Sequence, residues 1–237
     1  MTMSLDKWEK VSESQFPWER EALEFIRTRL PDHEPYRAWA NFEFIADDGS
    51  INEVDLLVVT PMGFFMVEIK SRPGKLCGDP GTWRWETTKQ SGKTHTITED
   101  NPLLLCNRKA KKLASMLKHQ SAFNKHRCPF LESIVFCSAT DLKTTFYGNG
   151  GHRIAVRDSD DSSTSKGIMG ALTRRNLQGL KQGVSGVNKP QAKAIARALE
   201  QIGVRASQSA RRVGDYVLKE LLYESSRDSY QGSRSRG

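Results

Sequence analysis

The chain has 237 residues, 37% of them hydrophobic and 27% charged, enough to bury a full core without a disulfide or metal staple. Its four cysteines, Cys77, Cys106, Cys128 and Cys137, form no C-x-x-C pair and no zinc-type spacing with the five histidines, so they read as free thiols of a reducing cytoplasm. No apolar run reaches membrane-spanning length and the first residues do not read as a signal peptide, so no membrane partner is expected.

The net charge of +8 is unevenly spread: residues 1–100 carry a net −6 and residues 101–237 a net +14. An acidic half suits a bound cation and a basic half suits a polyanion, nucleic acid being the obvious one. A solvated basic surface with a basic tail is the alternative.

In chain order, Gln15-Phe16-Pro17 leads into a helix over 18–30, with Trp18, Ala22, Phe25, Ile26 and Leu30 at helical spacing. At 100° per residue Glu19 falls inside this apolar arc and Glu21 at its edge. A glutamate on a buried face points at something specific; a solvated first-turn glutamate held by the helix dipole is the alternative. Residues 36–45 alternate like a strand, and Asp47-Asp48-Gly49-Ser50 is a turn.

The stretch 52–71 reads as a hairpin, two β-branched runs around Thr60-Pro61-Met62-Gly63. Glu53, Asp55, Glu68 and Lys70 sit within it, and carboxylates among Val, Leu and Phe are costly unless paired or bound to a cation. With an even loop, Asp55 lies opposite Glu68 and Glu53 opposite Lys70, all on one face. Asp55, Glu68 and the Ile69 backbone carbonyl then offer hard oxygen ligands for Mg²⁺ or Mn²⁺, beside the Lys70 ammonium. Pro61 and Gly63 also suit a three-residue loop, which would put the two carboxylates on opposite faces. A structural network with a Glu53–Lys70 ion pair is the other reading.

Residues 82–86 and 94–98 read as paired strands. Asp100 or Asn101 caps a helix with Pro102 in its first turn, running to about 119, with a stripe of Leu103, Cys106, Ala110, Leu113 and Leu117. Arg108, Lys109, Lys111 and Lys112 on this helix are the candidate nucleic-acid contacts. Strands over 133–139 and 154–156, a polar loop over 158–165, and helices over 168–177 and 189–202 follow. From 207 the chain is basic and polar and reads as a tail without regular structure.

The opening helix Trp18-Glu19-Arg20-Glu21-Ala22, the strand Glu53-Val54-Asp55-Leu56, the strand ending Glu68-Ile69-Lys70, Gly74 with Trp83, and Asn101-Pro102-Leu103 together resemble the nuclease-related domain. That family is a branch of the PD-(D/E)xK nuclease-like superfamily. The resemblance covers about 16–140; this chain has Leu105 where family members often have a glutamine. It implies an α/β restriction-endonuclease-like fold with an αβββαβ core, a small β insertion and extra C-terminal helices. It also implies a metal site of Glu19, Asp55 and Glu68 with Lys70 as the catalytic ammonium; Glu53, from its place in the hairpin, and Glu21, the fallback at the edge of the helical arc, are the supporting candidates.

The runs over 41–61 and 101–113 further resemble the N-terminal part of BREX-type (phage-growth-limitation) serine/threonine kinases, and 212–222 is similar to the strand that enters their kinase domain. No G-x-G-x-x-G, V-A-I-K, H-R-D or D-F-G follows in the chain, so by itself it is not a kinase. The expected organisation is a lead over 1–15, the nuclease-related domain with its helical extension over 16–205, and a tail over 206–237. The expected function is a divalent-metal-dependent nuclease acting on DNA, with RNA as the alternative substrate, in antiphage defence. A non-catalytic nucleic-acid-binding or regulatory module working with a kinase or other defence subunit is the second reading, and a scaffold with a purely structural acidic cluster the third.

Overall fold

The computed structural model describes residues 3–4, 7–88, 92–158 and 166–206, and the backbone of strands at 212–213, 216–223 and 229–234. In chain order the elements are β1 (Trp8–Lys10), α1 (Pro17–Arg27), β2 (Arg37–Ile45), β3 (Ile51–Thr60), β4 (Gly63–Lys70), β5 (Lys75–Gly78), β6 (Thr82–Thr88), β7 (Thr94–Asp100) and α2 (Pro102–Lys118). β8 (Leu131–Cys137), β9 (Lys143–Phe146), β10 (Ile154–Val156), α3 (Ile168–Arg174), α4 (Lys189–Ile202) and β11 (Arg205–Ala206) follow. β12 (Arg212–Val213), β13 (Tyr216–Tyr223) and β14 (Ser229–Arg234) pair antiparallel in the span where a tail is expected; residues 207–211, 214–215, 224–228 and 235–237 of that span lie outside the described residues. The polar loop expected at 158–165 also falls outside them, apart from Asp158.

The main sheet runs β1-β2-β3-β4-β8-β10, with β11 also on β2. β2, β3 and β4 are antiparallel, and β8 joins β4 in parallel after the excursion through β5–β7 and α2. This is the αβββαβ core of a restriction-endonuclease-like fold. The insertion is a second sheet, β7-β6-β5-β9. Its strands β5 and β9 are four residues each, too short and too polar to show an alternation in the sequence.

The β3–β4 hairpin is the spine of the molecule. Leu56, Leu57, Val58, Val59, Phe64 and Phe65 are all fully buried, each contributing roughly 1.5–3 kcal/mol of burial free energy. α1 and α3 pack on one face, through Phe25, Ile26, Ala171 and Leu172 against Leu56, Val58, Phe65 and Val67. α2 and α4 cover the other, through Cys106, Leu113, Ile195 and Leu199 against Leu57, Val59, Phe64 and Met66. Asn101 caps α2 by accepting the Leu103 N–H at 3.0 Å.

Two expectations are corrected here. Trp18, counted in the apolar stripe of α1, is 56% exposed and stacks on Phe16 with ring centroids 5.1 Å apart. The one-face placement of Glu53, Asp55, Glu68 and Lys70 assumes unbroken alternation, and alternation breaks. Ala38 and Ala40 join the α1 face while Phe42 and Phe44 join the α2 face, and on β3 Leu56 and Val58 face α1 while Val54 faces α2. The switch falls at Asn41 and Asp55, which lie opposite each other between the ladder pairs Ala40–Leu56 and Phe42–Val54. Asn41 adopts φ 53°, the left-handed region that asparagine tolerates better than most side chains.

Candidate active site

The hairpin register decides whether Asp55 and Glu68 meet. Thr60 pairs with Gly63 and Leu56 with Val67, so the turn is the two-residue Pro61-Met62 and the register is the even one. Beyond Leu56 the ladder stops. The Asp55 carboxylate takes over as acceptor, Oδ2 receiving the Ile69 N–H at 2.7 Å. Asp55 therefore sits where the two strands part, beside Glu68 and Ile69.

Glu68 is nearly buried and both its oxygens are taken. Lys70 Nζ donates to Oε1 at 3.0 Å and Lys109 Nζ to Oε2 at 2.8 Å. Burial opposes the Glu68 charge, but Lys109 and Lys70 outweigh it and hold its carboxyl below the usual range. Asp55 goes the other way: burial, then repulsion from Glu68, pushes its carboxyl well above the ordinary value despite Lys109 and the Ile69 N–H. Burial works against both ammoniums, but the charge and hydrogen bond of Glu68 together with the nearby Asp55 outweigh it, and both lysines are raised.

Glu19 arrives from α1. With the Asn41 amide oriented so that its nitrogen faces Glu19, Nδ2 donates to Oε1 at 2.9 Å and Oδ1 accepts the Ser14 N–H at 3.0 Å. Burial raises the Glu19 carboxyl, Ser14 offsets part of this, and Glu53 and Glu68 add to it. Glu19, Asn41, Glu53 and Asp55 line one small cleft of about 120 Å³. The structure thus brings Glu19 and Glu53 to Asp55 on one side of the switch, and Glu68, Lys70 and Lys109 on the other. Replacing Asn41 with aspartate swaps the donor for a further carboxylate against Glu19. A loss of about 1–3 kcal/mol in urea unfolding is expected, and an unchanged midpoint would place the Asn41 amide elsewhere.

Other candidates lie apart. Glu21 is exposed and pairs with Arg157, since two residues on a helix turn it about 200° from Glu19. The ion pair of Lys70 is with Glu68, where Glu53 is the partner expected from alternation. Of the basic residues on α2, Arg108 and Lys111 are exposed, Lys112 donates to Asp48 Oδ2 at 2.8 Å and Ser50 Oγ at 2.7 Å, and Lys109 turns inward to Glu68. Lys109 therefore belongs to the carboxylate cluster and is corrected as a surface contact. Its sequence signal is its position three residues after Cys106 and four before Leu113, both core residues of the same stripe.

Among the described residues, no three His, Cys, Asp or Glu side chains form a group that could hold a metal ion as they stand. The donor chemistry nevertheless suits a hard divalent cation. Asp55, Glu68 and Glu19 supply carboxylate oxygens, and Asp55 is crowded by burial and by Glu68 in a way that a cation would relieve. Each Glu68 oxygen keeps a second lone pair beside its one lysine hydrogen bond, which leaves it able to serve as a ligand.

Residues 14–138 match the family described as the Nuclease-related domain. Over 219 residues the chain is 36% identical to the "Probable kinase PglW" of Streptomyces coelicolor (strain ATCC BAA-471 / A3(2) / M145), a stretch covering 92% of this chain and 13% of that protein. The chain thus spans about an eighth of the length of this curated relative. No solved structure matches it. Among the described residues no helix is long and apolar enough to cross a membrane.

Proposed function

The chain belongs to the nuclease-related domain family, and on that premise we propose that it is a divalent-metal-dependent phosphodiesterase acting on DNA. The observation that carries this reading is the parting of β3 and β4 at Asp55, which sets Asp55, Glu68 and Lys70 around one strand end with Glu19 brought in by α1. Asp55, Glu68, the Ile69 carbonyl and Glu19 would hold Mg²⁺ or Mn²⁺. When bound, such an ion supplies Lewis-acid polarisation of a phosphoryl oxygen and a bound water of lowered pKa. Lys70, the more exposed of the two lysines on Glu68, orients that water or neutralises charge on the phosphoryl oxygens as the water oxygen bonds to phosphorus. The phosphorus–ester bond breaks, and the proton that the attacking water gives up, directly or by exchange with solvent, balances the one that the departing oxygen takes up.

A second reading is favoured by one observation: Lys70 and Lys109 both pair with Glu68, so this carboxylate holds its charge without an ion. On this reading the domain binds nucleic acid or regulates a kinase-containing defence system without turnover. Likeness to a protein named as a probable kinase supports work beside a kinase in either case.

Incubation of the chain with plasmid DNA and Mg²⁺ or Mn²⁺ separates the two. Cleavage abolished by EDTA, and reduced roughly 10²-fold in Lys70→Ala, is expected. The Lys70→Ala chain should keep its stability within about 1 kcal/mol, since a partly exposed ion pair contributes little. Absence of cleavage with every divalent metal would leave the binding module in place.

A further inference from the structure

Two concave clefts on the far flank of α2 share no lining residue with the Glu19–Asp55 cleft. The first, about 770 Å³, lies between α2, the 127–131 segment and the 181–186 loop. Lys111, Lys118, Arg127 and Lys181 line it together with Arg153, and no Asp or Glu does. The second, about 620 Å³, lies between the 121–126 segment and the start of α4 and is lined by Lys125, Lys189, Lys193 and Arg197, again without a carboxylate. The two adjoin: His126 and Pro190 line one, while the next residues, Arg127 and Gln191, line the other. A hydrogen bond from Gln191 Nε2 to the Arg127 carbonyl at 3.2 Å ties the dividing loop to α4.

Among the described residues, most of the charge in these clefts has no countercharge. Arg153 is paired with Glu132 at 3.7 Å, but the remaining eight Lys and Arg make no ion pair with any described carboxylate. Like charges gathered on concave walls repel one another in the free protein, and a polyanion lying along them removes that cost. Lys111 and Lys118 alone are about 10 Å apart along the helix axis, farther than one phosphate reaches.

The walls are built by the fold. Buried Glu132 accepts the Lys181 N–H at 3.0 Å and pairs with Arg175 at 3.4 Å, fixing one end of the 181–186 loop. At the other end Val187 N–H donates to the Pro61 carbonyl at 3.2 Å, and a Cβ at Gly186 would stand 2.0 Å from the same oxygen. The loop is seated on the turn of the central hairpin, at the opposite end of β4 from Glu68. At the rim, Phe130 is 44% exposed with the Lys181 ammonium 4.4 Å from its ring centroid, an aromatic surface of the kind on which bases stack. Concave walls of this kind face a strand laid along them, whereas a flat bilayer meets their rims.

We propose that the two adjoining basic clefts hold the sugar-phosphate backbone of a nucleic acid, on a surface separate from the carboxylate cluster. The inference does not rest on catalysis, because its observations share no residue with the candidate active site.

The test is fluorescence anisotropy of a fluorescein-labelled 30-nucleotide DNA, single-stranded and duplex, with the full chain in EDTA across a KCl series. Lys118→Glu/Arg127→Glu and Lys193→Glu/Arg197→Glu alter exposed side chains, one pair in each cleft. Each pair should weaken binding at least 10-fold and lower the slope of log affinity against log salt by roughly 0.7–0.9 for each phosphate the variant no longer neutralises. Lys143→Glu, exposed on the second sheet, should leave both unchanged. Equal affinity and slope in the cleft variants and the Lys143 control, in chains with wild-type melting curves, would overturn the proposal. So would binding to phosphatidylserine vesicles, but not to either DNA probe, that the cleft variants abolish. Loss of DNA cleavage alongside intact, cleft-dependent binding would remove the nuclease reading and leave this one standing.

Discussion

Replacing Lys109 with methionine is expected to cost about 3 kcal/mol of stability. Its ammonium lies 2.8 Å from Glu68 Oε2, with both side chains about 10% exposed. Methionine keeps the apolar stem on the face of α2 that carries Cys106 and Leu113 but leaves that oxygen without its cation, and breaking one side of a buried pair typically costs about 3–5 kcal/mol. The low end applies because Lys70 stays on the other oxygen at 3.0 Å. Lys70→Ala should cost far less, its side chain being 34% exposed. Urea unfolding of the two single variants and of the double variant Lys109→Met/Glu68→Gln measures the difference. The double variant should recover part of the loss, since the neutral amide no longer needs the cation. Equal small effects for the two lysines would show that Lys109 is not the buried partner of Glu68.

The same pair of lysines shows what is legible in a sequence and what is not. The hairpin is legible because both strands are buried on both faces, which demands two unbroken β-branched and aromatic runs around a turn. Its register is legible only as a choice between loops, and Thr60 pairing with Gly63 makes that choice in favour of Asp55 beside Glu68. Lys109 is harder. A run of Arg108, Lys109, Lys111 and Lys112 looks like one solvated face, and the helical angle that separates Lys109 from its neighbours has force only once Glu68 is known to lie beneath it. Asn41 is harder still, because nothing in Trp39-Ala40-Asn41-Phe42 announces a positive φ. Its left-handed turn moves Glu53 to the side of Glu19 and makes the cleft two-sided. The expectation of Glu19 at the apolar arc of α1 needs only helical geometry, and the structure sets this residue half-buried against Asn41. Trp18 lies near the same arc but one turn too early to be covered. The basic clefts gather residues from 111 to 197, so no local pattern reveals them.

Asp55→Asn is expected to abolish metal-dependent cleavage and, in the same variant, to stabilise the protein. Burial and the neighbouring Glu68 both disfavour the Asp55 carboxylate in the folded state and raise its pKa, so without a cation folding at neutral pH costs either a buried charge or the uptake of a proton. Asparagine has nearly the same shape, and its Oδ1 can still accept the Ile69 N–H that Oδ2 accepts at 2.7 Å. That cost disappears with the titratable group. A gain on the order of 1–3 kcal/mol is expected, the scale of an imperfectly compensated buried polar group. The loss of activity should be larger, roughly 10²-fold or more, because a neutral amide is a poor ligand for a hard divalent cation where a carboxylate is required. Stabilisation together with inactivation is the signature of a site whose strain serves a ligand absent from the free protein. Thermal unfolding in EDTA reads the first effect, and plasmid cleavage with Mn²⁺ reads the second. Added Mn²⁺ supplies the control: it should raise the wild-type melting temperature and leave that of Asp55→Asn unmoved. A variant that is less stable than wild type in EDTA, and unaffected in its response to Mn²⁺, would return Asp55 to the status of a structural carboxylate holding the Ile69 N–H.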